Sequence, residues 1–297
     1  MSDIKAGFVG LGAMGEPMAG HLHRAGLLVS AWTRTAANTH RLADELGLDA
    51  PGSLAELAAH CNVIALCVPA DADVLAAVDA IAAHAPAGTV VVDHSTVSSV
   101  TAREARARML AGGGEFIDAP VSGGVEGARS GRLSIMVGGE AAALERARPV
   151  LDCYAAKISH MGAIGAGQNT KAVNQVLVAG IAQAVCEGLA LGDALGLDAD
   201  TLIPTLLAGA AGNWFLDKRG ATMLRDEFQV GFKLGLLHKD LKIVRELARE
   251  AGTDRSIIEK SLADYAVLMA QGHADEDISA LIRLKRARRN DAQPGQR

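Results

Sequence analysis

The stretch "AGFVGLGAMGEPMAGHLHRAG", Ala6–Gly26, decides the fold. It opens as a short apolar run over Ala6–Gly10 and continues from Ala13 with apolar residues at helical spacing, closing at Gly26. Between the two lies Gly10-Leu11-Gly12-Ala13-Met14-Gly15, a G-x-G-x-x-G set directly after a strand and directly before a helix. The three glycines answer three different physical needs. Gly10 permits the tight turn, Gly12 lets a pyrophosphate approach the backbone, and Gly15 lets helix pack on strand. The helix then offers its unpaired N–H groups to the phosphates. A tight turn in a glycine-rich chain gives the same letters; the strand-to-helix context is what selects a dinucleotide site.

Outward from this unit the pattern repeats. "LLVSAW" (27–32), "VIALCV" (63–68), "TVVVD" (89–93) and "FIDAP" (116–120) read as strands, separated by alanine-rich stretches with helical periodicity and glycines near their ends. Such alternation predicts a parallel sheet with helices on both faces, a Rossmann-type doubly wound α/β unit. "LSIMVGG" (133–139) adds a sixth strand, a helix is expected over about 140–153, and "AKISHM" (156–161) adds a short strand.

From Gly167 onward no convincing strand is expected. "NTKAVNQVLVAGIAQAVCEGLALGDALG" (169–196) has no breaker stronger than an isolated glycine and predicts one helix far longer than the usual ~11–12 residues. "DADTLIPTLLAG", "GFKLGLLHKDLKIVRELAREAG" and "RSIIEKSLADYAVLMAQGH" continue as a helical bundle. The expected organisation is therefore a dinucleotide-binding domain over 1–163, an all-α domain over 164–288 joined to it by the long interdomain helix, and a polar, disordered tail over 289–297.

Composition bounds the function. In 297 residues, 49% are hydrophobic but only 3% aromatic, so the cores must be built from Leu, Val, Ile and Ala. The formal charge of −5 is spread along the chain and gives no footprint for nucleic acid or an anionic membrane. Cys61, Cys67, Cys153 and Cys186 form no C-x-x-C pair and read as reduced core thiols. His94 and His238 lie in no ligand cluster, so no metal is expected. With no leader pattern and no uninterrupted apolar run near ~18 residues, the expected location is the cytoplasm.

The end of the second strand bears on which dinucleotide is bound. An NAD site places an Asp or Glu there, on the ribose 2′-hydroxyl; this chain has Thr33-Arg34-Thr35. Arg34 is either a solvated loop cation or the partner of a 2′-phosphate, with the Thr33 and Thr35 hydroxyls adding hydrogen bonds, and the missing carboxylate favours NADP over NAD. Val68-Pro69 and Ser95-Thr96 follow two further strands and should line the same crevice; Ser95 or Thr96 either bonds the nicotinamide ribose or caps a helix.

Taken together, these residues resemble the β-hydroxyacid dehydrogenase family, the 3-hydroxyisobutyrate dehydrogenases and tartronate semialdehyde (2-hydroxy-3-oxopropionate) reductases among them. The opening "GFVGLGAMGEPMAGHLHRAG" is similar to its N-terminal signature, "DAPVSGG" (118–124) to its substrate-binding segment, "GAGQNTKAVNQ" (165–175) to its catalytic segment and "KDL" (239–241) to its late cofactor-side motif. The resemblance implies an NADP-preferring oxidoreductase that interconverts a short 3-hydroxy acid and its semialdehyde.

By the same resemblance Lys171 is the general acid and base; partial desolvation beside a helix start should lower its pKa toward the useful range. Asn174, three residues on, either bonds the substrate oxygen or holds the lysine, and Gln175 stands where the family often has a second Asn. Ser122-Gly123-Gly124 can converge backbone N–H groups on a substrate carboxylate, or form a merely flexible loop. Asn213 and Trp214 wall the substrate pocket or pack in a core. Lys239 reaches the cofactor, with Phe232 near the nicotinamide, or pairs locally with Asp240 on a helix whose stripe Leu236, Leu237, Leu241 and Val244 faces inward. The long helix needs burial, which points to a homodimer or homotetramer. Two other readings are an imine reductase, which generally lacks the paired "DAPVSGG" and "KAVNQ" segments, and a non-catalytic NADP-binding protein, which would lose Lys171.

Overall fold

The computed structural model describes the backbone of residues 4–291 and the side chains of residues 4–286. The chain divides into two compact units, Met1–Lys171 and Ala172–Arg297. The division falls just inside a helix instead of in the glycine-rich "HMGAIGAG" ahead of it, because the first turn of that helix is bonded into the sheet unit.

In the first unit β1 (Ala6–Val9), α1 (Gly15–Arg24), β2 (Leu28–Trp32), α2 (Ala36–Leu46), α3 (Leu54–His60), β3 (Val63–Leu66), α4 (Asp71–His84), β4 (Val90–Asp93), α5 (Ser99–Ala111) and β5 (Glu115–Asp118) follow one another. The five strands run parallel in the order β2-β1-β3-β4-β5. Alternate residues feed opposite faces: Phe8, Ala65, Val90 and Val92 enter one core, and Val9, Ile64, Leu66 and Val91 the other. Order reverses between β1 and β3, which opens a crevice beyond their carboxyl ends.

Beyond β5 the sheet departs from the expected parallel arrangement. β6 (Val121–Ser122) and β7 (Leu133–Gly138) are antiparallel to each other, β5 also meets β7 antiparallel, and β8 (Ala155–Gly162), after α7 (Ala141–Leu151), runs parallel to β7. Between β6 and β7 lies α6 (Gly124–Ser130), where the glycine-rich sequence suggests only a connection. Glycine weakens a helix by about 1 kcal/mol, but packing overrides it here: His21 Nε2 lies 3.1 Å from the carbonyls of Ala128 and Arg129, and a Cβ on Gly127 would crowd Leu133. α3 is likewise additional to the expected elements, although Ser53 and Glu56 form its N-terminal cap, Ser53 Oγ accepting from the Glu56 amide.

The second unit holds most of α8 (Ala166–Ala194), then α9 (Ala199–Leu207), α10 (Trp214–Leu224), α11 (Leu234–Glu250), α12 (Ser256–Ala270), a short 3-10 turn (Ile278–Leu281) and α13 (Ile282–Asp291). Leu234, Leu237, Leu241 and Val244 of α11 meet Ile258, Leu262, Tyr265 and Leu268 of α12 around Cys186 and Leu189. Leu236 corrects the expected inward stripe: it is exposed, one residue off the buried face. Of the tail expected over 289–297, residues 289–291 continue α13, which no glycine or proline interrupts before Asp291; residues 292–297 lie outside the described residues. Among the described helices α8 is long and apolar enough to cross a membrane by length and composition alone.

Cys61 and Cys186 are buried, which pushes both thiols up to about 12, while Cys67 and Cys153 are only half-buried. His94, just after β4, is fully enclosed. Its Nδ1 lies 2.7 Å from the Ala119 carbonyl and its Nε2 2.9 Å from the Tyr154 hydroxyl. A carbonyl only accepts, so Nδ1 carries the proton and Nε2 accepts from the tyrosine. Burial lowers the imidazole to about 4 from the ordinary 6.5. The native state thus binds fewer protons than the unfolded chain below about pH 6.5, and stability falls as pH falls toward 4. Denaturant titrations should show about 2 kcal/mol of His94-dependent loss between pH ~7.5 and ~5, absent from His94→Gln; an equal loss in both proteins would contradict this assignment.

Candidate functional site

The glycine loop joins β1 to α1. Gly10 takes φ +95°, and a Cβ there would lie 2.1 Å from the Cys67 carbonyl oxygen, so β1 and β3 close on bare backbone. A Cβ on Gly15 would strike Gly10 O at 1.9 Å and Phe8 at 2.9 Å, which is the helix-on-strand contact. Around Gly12 a Cβ would meet nothing within 4 Å. That open face is where a pyrophosphate fits, and Leu11, Gly12 and Ala13 line a surface cleft there with Glu16, Arg24 and Arg129.

At the end of β2 the Thr33 amide donates to Thr39 Oγ1, and that hydroxyl donates back to the Thr33 carbonyl. Thr35 precedes α2 without a side-chain cap bond. Arg34 is 71% exposed, and its Nη1 lies 2.7 Å from Oδ1 of Asp73 in the first turn of α4. Asp73 escapes a reading by residue type because an acidic residue at a helix start is ordinarily a complement to the helix dipole. Val68 is half-buried and Pro69 exposed. Ser95 is buried, its Oγ accepting from the Val68 amide, so it ties two strand ends together, while Thr96 remains half-exposed.

The segment after β5 is organised by Asp118. Its carboxylate is fully buried and accepts the Gly165 amide at Oδ1 and the Gln168 amide at Oδ2, both at 2.7 Å, at the start of α8. Burial pushes this carboxyl above its ordinary value, and the amides oppose the rise. Gln168 donates through Nε2 to the Ser95 carbonyl and accepts the Val97 amide at Oε1. One turn further along α8, Lys171 is 8% exposed and its Nζ donates to the Val121 carbonyl at 2.8 Å. Ser122, Gly123 and Gly124 follow at once, the glycines at φ +134° and +62°. A buried amine is therefore fixed beside a turn whose conformation glycine favours.

In the second unit Asn174 Nδ2 donates to Gln175 Oε1, Gln175 Nε2 donates to Asp240 Oδ2 at 2.6 Å, and Lys239 Nζ lies 3.0 Å from Asp240 Oδ1. Asp240 is buried, so the Lys239–Asp240 pair is no solvated ion pair. Asn213 caps α10, accepting the Leu216 amide and donating to the Ala211 carbonyl. Trp214 is 52% exposed, outside the core, under the Arg219 guanidinium. The Phe232 amide donates to the buried Asp277. Asp118, Gln168 and Asp240 are thus the organising residues that residue type alone does not single out. Among the described residues no group of three or more His, Cys, Asp or Glu could hold a metal ion.

Residues 5–162 match the family described as the NAD binding domain of 6-phosphogluconate dehydrogenase, and 165–285 that described as NAD-binding of NADP-dependent 3-hydroxyisobutyrate dehydrogenase. The chain is 34% identical to the NAD-dependent L-serine dehydrogenase of Pseudomonas aeruginosa, covering 93% of this chain and 96% of that one. It is 36% identical to a probable 3-hydroxyisobutyrate dehydrogenase of Mycobacterium tuberculosis, covering 95% and 97%. Among solved structures it resembles Mycobacterium tuberculosis 3-hydroxyisobutyrate dehydrogenase with L-serine, at TM-score 0.85 and 33% identity over 95% of this chain and 99% of that one.

The glycine loop separates folding from binding. Gly12→Ala should leave the unfolding midpoint unchanged and weaken nucleotide affinity by about tenfold or more, as for one lost charge-assisted bond. Gly10→Ala should cost about 2 kcal/mol or more in stability. Calorimetry and nucleotide titration of the pair check this; the reverse assignment of the two effects would refute it.

Proposed function

The chain belongs to the β-hydroxyacid dehydrogenase family, oxidoreductases with NAD(P)-binding domains that act on CH–OH groups, and from that premise we propose that it interconverts a short 3-hydroxy acid and its semialdehyde, preferring NADP, with Lys171 as general acid and base. The observation that carries the reading is the buried Lys171 amine, held by Val121 immediately before Ser122-Gly123-Gly124. A bound nicotinamide supplies hydride chemistry. The rest falls to the protein. In oxidation Lys171 Nζ takes the proton of the substrate hydroxyl; in reduction it returns a proton to the carbonyl oxygen as that becomes the alcohol. The amides of Gly123 and Gly124 and the Ser122 hydroxyl receive the substrate carboxylate, which places the reacting carbon near the lysine. Arg34 supports NADP by offering a guanidinium where an NAD site carries a carboxylate. L-serine, named with two of the relatives, is itself a 3-hydroxy acid and fits the same recognition.

Steady-state rates over a panel of 3-hydroxy acids, including L-serine and 3-hydroxyisobutyrate, with NAD and NADP test the proposal. Lys171→Ala should lower kcat by about 10²–10⁴ with cofactor affinity retained. Ser122→Ala should raise KM for the acid by about tenfold and leave that for cofactor near its original value. Turnover that survives Lys171→Ala overturns the assignment.

We also propose a homodimer built on α8. Val173, Leu177, Ile181, Ala184, Gly188, Leu191 and Leu195 follow one another at steps of three or four and are all exposed. The first six share one face of α8, and Leu195 follows in register one residue past its end. The stripe is symmetric in sequence: Val173 and Leu195, and Leu177 and Leu191, lie equidistant from Ala184. Two antiparallel copies crossing at Ala184 would set Val173 against Leu195 and Leu177 against Leu191 in both directions, the reciprocal pairing of an isologous interface. Leu177→Glu should halve the mass measured by light scattering with the circular dichroism unchanged; an unaltered dimer would disprove this interface.

A further inference from the structure

Arg34 follows β2 (Leu28–Trp32), and Asp73 lies in the first turn of α4, which follows β3 (Val63–Leu66). β1 runs between those two strands, so the 2.7 Å ion pair of Arg34 and Asp73 spans the carboxyl edge of the sheet over the strand that carries the glycine loop. Asp73 is the less exposed partner, at 23% against 71% for Arg34, and so the better fixed of the two. A carboxylate, absent from the end of β2 itself, is thereby brought from α4 against the guanidinium that follows that strand.

We propose that Asp73 is a specificity-determining residue that limits the preference for a 2′-phosphorylated dinucleotide. This inference rests on the reading of Gly10–Gly15 and Arg34 as the nucleotide site. A 2′-phosphate and the Asp73 carboxylate are both acceptors for one guanidinium, so binding NADP must displace the existing pair, and the phosphate must then sit beside a like charge. A ribose 2′-hydroxyl has neither difficulty, because it can donate to a carboxylate. Arg34 sets the attraction for the phosphate and Asp73 opposes it, so that the ratio of the two affinities belongs to the pair and not to the arginine alone.

The test is equilibrium titration of NADPH and NADH into the full chain, followed by nucleotide fluorescence, with Asp73→Asn, Arg34→Ala and the double variant. An exposed ion pair holds its partners by about fivefold, and relief of like-charge repulsion adds a comparable factor. Asp73→Asn should therefore tighten NADPH by about 5- to 30-fold and change NADH by less than about twofold, and the ion-pair share of that gain, about fivefold, should be lost when Arg34 is also replaced. Weaker NADPH binding in Asp73→Asn would mean that the carboxylate orients Arg34, and overturns the proposal. So does a gain that is undiminished without Arg34. NADH preference in the unaltered chain would remove the NADP reading alone, since the sign of the Asp73→Asn change is measured independently of it. Binding of neither nucleotide removes both.

Discussion

The carboxylate of Asp118 is the constraint on which the first unit's chemistry depends. It lies at the end of β5 with no exposure and takes the amides of Gly165 and Gln168, so the first turn of α8 is tied to the sheet by two short bonds. Burial alone would push this group toward its neutral form. A neutral carboxyl would be a weaker acceptor and would direct a proton at one of the amides, so the N–H groups favour the ion. The surroundings are shaped around it: a Cβ on Gly138 would lie 2.4 Å from Oδ1 and one on Gly167 2.8 Å from Oδ2. Lys171 sits one turn beyond, and its reach to Val121 follows from this anchoring.

From the same point a continuous set of bonds runs to the glycine loop. Gln168 meets Ser95 and Val97 after β4, Ser95 accepts from Val68 after β3, and the Cys67 amide donates to Val9 beside Gly10. The amine and the nucleotide loop therefore belong to one bonded framework inside a single compact unit. Ser95 and Gln168 are both buried and bond backbone groups, Ser95 Oγ accepting from Val68 and the Gln168 side chain reaching Ser95 and Val97.

Much of this is legible in the sequence because it is periodic or sterically compelled. The alternation of runs such as "VIALCV" and "TVVVD" with alanine-rich helices fixes a parallel sheet, and the spacing of Gly10, Gly12 and Gly15 fixes the turn between β1 and α1. The helix over Gly124–Ser130 is hidden because its stability comes from α1 and Leu133, outside its own window. The pairing of Arg34 with Asp73 joins residues 39 positions apart and depends on strand order, which no local pattern encodes. The carboxylate of Asp118 stands within a motif, but nothing in "DAPVSGG" tells whether its aspartate faces a ligand or a helix. Only the fold decides that.

A common device emerges from these cases. With 3% aromatic residues and 33 glycines, the chain has few large side chains to lock its segments by shape. Buried aspartates supply the missing definition. Asp118 holds the start of α8; Asp240 gathers Gln175 and Lys239; Asp277 takes the amides of Gly231, Phe232 and Ser279. A buried carboxylate is costly unless each lone pair is met, and that cost is what makes it selective: a segment displaced by an ångström leaves the charge unsatisfied. Small residues bring backbones close enough to donate, and the carboxylate penalises every arrangement in which they do not. Abundant glycine and buried aspartate are therefore two halves of one way of positioning a site, the first permitting close approach and the second fixing where it occurs.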